Sequence, residues 1–68
     1  MEDVEATLLR IGTRIVSIMG DWWDAKPITH IYPNQEPGWV WVRMVGIWEE
    51  THYDVHYRLT PTELVTVV

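Results

Sequence analysis

The sequence predicts an α+β domain in which one N-terminal amphipathic helix packs on a three- to four-stranded antiparallel sheet. Three observations carry that expectation. Apolar residues of the first segment recur at helical spacing. The second half is rich in β-branched and aromatic residues, with a stretch of clean alternation. The length, 68 residues, admits one small domain over 1–68 and a single core.

The helix is expected over about 3–19. Val4, Leu8, Ile11, Ile15 and Ile18 recur at spacings of 4, 3, 4 and 3, which places them on one stripe. Leu9, Val16 and Met19 widen the stripe, and Thr7, Arg10, Arg14 and Ser17 line the opposite face. Asp3 reads as an N-cap, with Glu2, Asp3 and Glu5 where the helix dipole favours negative charge. Gly20 reads as the residue that stops the helix at C′. In a variant reading the helix continues through Trp22 and Trp23, and Pro27 ends it.

Strands are expected at about 28–32, 39–48, 51–59 and 64–68. Ile28 to Tyr32 is β-branched and aromatic. Pro33 to Gly38 reads as a partner-touching loop with Pro37-Gly38 as its turn signal. Trp39 to Trp48 is apolar on both faces, as in a strand covered on both sides, and Gly46 within it suggests a bulge or a close aromatic neighbour. From Thr51 to Leu59 the pattern alternates: Tyr53, Val55, Tyr57 and Leu59 point one way, His52, Asp54, His56 and Arg58 the other. Thr60-Pro61-Thr62-Glu63 is read as a turn before a terminal strand, with a short capped helix as the alternative.

Hairpin register decides which side chains share a face. A two-residue loop at Glu49-Glu50 sets Gly46 opposite Tyr53, Met44 opposite Val55 and Val42 opposite Tyr57. That face is apolar and suits the helix stripe. The other face collects Arg43, His52, Asp54, His56 and Arg58 among Trp39, Trp41, Val45 and Ile47. A three-residue loop would mix these charges with Val40, Val42 and Met44, at a cost of several kcal/mol, roughly, per buried unpaired ion. The segregated register is therefore expected.

Composition narrows the function. The chain is 47% hydrophobic, has no Cys and carries a net charge of −5. It is too apolar for a disordered chain, and it offers neither thiolate ligands nor the basic face of a non-specific nucleic-acid binder. No apolar run approaches the ~20 residues of a membrane span, and the acidic start, Met1-Glu2-Asp3, does not read as a targeting peptide. A cytoplasmic protein without membrane contact is expected. The single Ser17 lies in the expected helix, and the four Gly are dispersed, so neither a nucleophile arrangement nor a phosphate loop can be built. The expected protein is not an enzyme and carries no cofactor.

The leading expectation is a small acidic protein-binding module, of the kind a phage or mobile element uses to block a surface of a host protein. Trp39, Trp41, Arg43 and Arg58 would anchor the interface, with His52, Asp54 and His56 beside them and Trp22 and Trp23 as a second anchor. Trp and Arg lead at interface hot spots, and apolar patches rimmed by charge mark docking surfaces. The acids would steer the module toward a larger host protein with a basic surface. The same apolar face is expected to be covered by a second copy, as a homodimer, or by the bound partner. An alternative is a nucleotide or other planar ligand stacked on the Trp/Arg face. A further alternative is a metal ion held by His52, Asp54 and His56 on alternate positions of one strand.

Overall fold

A computed structural model describes residues 1–32 and 36–68. Pro33, Asn34 and Gln35, the first half of the expected loop, lie outside the described residues. The chain runs β1 (Glu2–Glu5), a short 3₁₀ turn (Ala6–Leu8), β2 (Arg14–Ile18), β3 (Asp21–Pro27), β4 (His30–Tyr32), β5 (Val40–Trp48), β6 (Thr51–Leu59) and β7 (Leu64–Val67). The strands form two antiparallel sheets, ordered β1-β7-β2-β3 and β4-β5-β6. The α+β expectation is therefore corrected: the fold is all-β, and two strands and a single 3₁₀ turn replace the helix over 3–19.

The physical reason lies in β2. Against β7 its register shifts between Ile15 and Ser17, so Val16 is an extra residue. A bulge of this kind reverses the facing of the residues after it. Ile15 and Ile18, three positions apart, are both buried, and their spacing imitates a helical step. The rest of the stripe is split: Leu8, Ile11 and Met19 are exposed, Val4 packs against the core from β1, and Leu9 is buried beside Ala6, which the helical pattern does not include. Gly12, at φ 93°, turns the chain in a conformation that is costly within a helix.

Gly20 does adopt the left-handed conformation expected of it (φ 82°), but with Met19 at φ 48° it forms a two-residue hairpin turn. Positive φ at both central residues matches the twist of the flanking strands. β3 follows, and consecutive strand residues face opposite sides, so Trp22 is exposed and Trp23 buried. Asp24 and Ala25, also at positive φ, form a second irregularity opposite β2.

The chain crosses between sheets at Ile28 and Thr29. The Ile28 amide donates to the Thr13 carbonyl (2.9 Å) and its carbonyl accepts from Gly12 (2.8 Å). The Thr29 hydroxyl donates to the Arg43 carbonyl (3.0 Å) and accepts from the Val45 amide (3.1 Å). These bonds fasten the start of β4 to β5. The 3₁₀ turn is held against the β6–β7 connection by Ala6 and Thr7 amides donating to the Glu63 and Pro61 carbonyls.

The core lies between the sheets. Ile15, Ile18, Trp23, Val65 and Val67 come from the first, and Val42, Met44, Tyr57 and Leu59 from the second. Ala6, Leu9 and Ile28 close it. No polar or charged residue is buried among the described residues. The β5–β6 hairpin has the two-residue turn at Glu49-Glu50 and pairs Gly46 with Tyr53, Met44 with Val55 and Val42 with Tyr57.

Candidate docking face

With its even-numbered residues in the core, β5 turns Trp41, Arg43, Val45 and Ile47 outward, and their partners on β6 are Arg58, His56, Asp54 and His52. β4 adds His30 opposite Arg43 and Tyr32 opposite Trp41. One continuous outer face thus contains nearly all the residues singled out from the sequence, away from the core rather than beneath a helix.

Its charges are fastened in pairs. The Arg43 guanidinium donates to both carboxylate oxygens of Asp54, Nε to Oδ1 at 2.8 Å and Nη2 to Oδ2 at 2.6 Å. This fork-to-fork geometry fixes both side chains in the plane of the face. The guanidinium holds the Asp54 carboxyl below the usual carboxylate range, and Asp54 in turn holds Arg43 protonated above its ordinary value, with Tyr32 adding to the effect. Arg58 lies 4.1 Å over the Trp39 ring and reaches Glu36 at 3.5 Å. Trp39 and Trp41 are half-buried rather than free platforms, while Ile47 is 61% exposed.

His52, Asp54 and His56 share this face, as the alternation requires, but both oxygens of Asp54 are engaged by Arg43. A guanidinium sits where a cation would have to bind. No group of three candidate ligands converges among the described residues.

Trp22 and Trp23 stand apart from the face. The Trp23 indole is packed edge-on to Tyr53 (5.1 Å) and Tyr57 (6.3 Å), and its Nε1 donates to the Tyr57 hydroxyl at 2.8 Å. That hydroxyl donates to Asp21 at 2.6 Å. Burial, aided by Asp21, pushes the Tyr57 phenol up to about 12. Trp23 is therefore a core residue and not a partner anchor. Trp22 is exposed and leans on Trp48 at 5.7 Å, with Lys26 on the same Trp48 ring at 4.9 Å.

Sequence reasoning missed His30, Tyr32 and Glu36. His30 and Tyr32 stack at 6.1 Å with 14° between their planes, and Tyr32, Glu36, Trp41 and His56 line a depression of about 390 Å³. An antiparallel pairing of 28–32 with 39–48 is compatible with the sequence, but the register that sets Tyr32 opposite Trp41 is visible only in the structure.

No family model, curated protein or solved structure matches the chain. Among the described residues no helix is long and apolar enough to cross a membrane.

Proposed function

We propose that this chain is a small, non-enzymatic protein-binding module that docks on a larger protein through the outer face of β4, β5 and β6. The observation that carries the reading is the composition and fixation of that face. Exposed Ile47 and half-buried Val45, Trp39 and Trp41 are interleaved with two arginines, each already held in place, Arg43 by Asp54 and Arg58 by Trp39. Side chains immobilised before binding lose less conformational entropy in the complex. Trp and Arg in such a setting are the residues that dominate interface energies. The net charge of −5 favours approach to a basic partner surface.

The non-enzymatic character is supported by how the perturbed groups are spent. Asp54 is saturated by Arg43, and the Tyr57 hydroxyl is locked between Trp23 and Asp21. Neither is free to move a proton to a ligand. A nucleotide on the Trp/Arg face is the weaker reading, because Arg43 is engaged by both oxygens of Asp54 and the net charge of −5 opposes a phosphate.

The test is quantitative capture of a partner from the source cell by immobilised wild type, Ile47→Asp and Leu64→Asp. Leu64 is equally exposed but belongs to the other sheet. Ile47→Asp is expected to reduce the retained partner about tenfold or more, the scale of one interface side chain, and Leu64→Asp to leave it unchanged. Undiminished capture by a folded Ile47→Asp protein would overturn the reading.

A further inference from the structure

We infer that the depression between Tyr32, Glu36, Trp41 and His56 is a subsite for one basic side chain, lysine or arginine, of the partner protein. The inference rests on the protein-binding reading and deepens it.

Tyr32 and Trp41 are direct cross-strand partners on the outward side, where Cβ atoms stand about 5 Å apart. Their rings form adjoining walls. His56, on β6 and diagonal to Trp41, closes a third side, and Glu36 closes the fourth. The Trp41 Nε1 is buried, with no hydrogen-bond partner among the described residues. The indole therefore offers a ligand only ring carbon. A ligand that relied on donating or accepting through that nitrogen could not reach it. A π face attracts a cation through its quadrupole.

Glu36 selects the sign of the ligand. Its carboxylate touches Arg58 at 3.5 Å, with both side chains nearly half exposed. A contact that long between exposed groups holds little, so the carboxylate keeps lone pairs for an incoming donor. A phosphate or carboxylate would meet Glu36 as a like charge. An aliphatic group would strip water from Glu36 and return no hydrogen bond. An ammonium or guanidinium satisfies both the rings and the carboxylate. A basic partner surface, expected from the overall charge, supplies such side chains.

The experiment follows amide and indole N–H resonances of the isotopically labelled protein during titration with three blocked amino acids: the N-acetyl methylamides of lysine, arginine and norleucine. The lysine or arginine probe is expected to shift Trp41 and Tyr32 signals saturably, with a Kd on the order of 10 mM for a single cation–π and ion-pair contact. The neutral norleucine probe is expected to produce no such shift. Glu36→Gln, whose spectrum reports whether the fold is intact, and Tyr32→Leu should each raise that Kd about two- to fivefold, the scale of one exposed ion pair or cation–π contact. Equal response to norleucine, an unchanged Kd in Glu36→Gln, or no saturation with either cation overturns the subsite. Any of these together with loss of capture in Ile47→Asp removes the subsite alone. A clear cation response with capture unaffected by Ile47→Asp removes the docking face instead.

Discussion

A Cβ added at Gly46 would lie 2.6 Å from the Tyr53 hydroxyl oxygen and 2.9 Å from its Cζ. The Tyr53 ring occupies the space that any other residue at 46 would fill, and the same ring meets Trp23 edge-on at 5.1 Å. Gly46→Ala is thus expected to destabilise the protein by about 1–3 kcal/mol, the usual cost of overpacking. In a Tyr53→Ala background the added penalty should largely vanish. Chemical denaturation of the four proteins of that cycle measures the coupling, and strict additivity would contradict the close packing. Tyr57 yields a second prediction at this scale. Its phenol titrates near 12 in the folded state against an ordinary value of 10.0. The stabilisation it contributes is therefore complete below about pH 10 and lost as the pH rises toward 12. Tyr57→Phe leaves the Trp23 N–H without its acceptor, and should cost about 1–3 kcal/mol at neutral pH. The gap between wild type and Tyr57→Phe should narrow between pH 10 and 12 in denaturation midpoints. A constant gap would show that the hydroxyl is not held as a buried neutral donor.

Among the elements, β5 and β6 were the most legible. Alternation from Thr51 to Leu59 reports a surface wet on one side, and keeping charge apart from apolar residues selects an even-numbered turn, of two or four residues; the structure has two. What the letters Glu49-Glu50 do not announce is the turn's conformation: both residues sit at positive φ, 51° and 67°, where L-residues with a Cβ are strained by roughly 1–2 kcal/mol each. The double variant Glu49→Asn/Glu50→Gly, which supplies the residues such a turn prefers, is expected to stabilise the protein by about 1–2 kcal/mol. Thermal unfolding reads the outcome, and a lower midpoint would contradict the turn type. β2 and β3 were illegible for a definite reason. Periodicity arguments assume regular elements, and the extra residue at Val16 restores inward facing after three positions instead of two. The same irregularity hid β3, whose two adjacent tryptophans look like a unit in one dimension and part to opposite sides of a strand.

For the whole molecule, the composition of the face proposed for docking could be read from sequence because it needs only one hairpin in one register. The subsite could not, since it draws on β4 and on Glu36 beyond it, and the placement of a three-residue strand is set by the Thr29 bonds to Arg43 and Val45 rather than by its own pattern. The division into two sheets was equally hidden. β1 pairs with β7, and the Thr66 hydroxyl donates to Asp3 across a separation of 63 positions. Pairings of this range leave no local mark on the sequence.

That long closure has a consequence for how the chain is made. β1 and one edge of β2 find their partner only in β7, so during synthesis both wait, with backbone donors and acceptors unclaimed, until nearly all that lies between has left the ribosome. The β5–β6 hairpin, which needs only its own turn, is free to zip first. Loop-closure entropy makes such a topology slow, and the waiting edges can meet other nascent chains. The acidic residues Glu2, Asp3 and Glu5, which suit a helix start by charge alone, place repelling charge along the strand that waits longest.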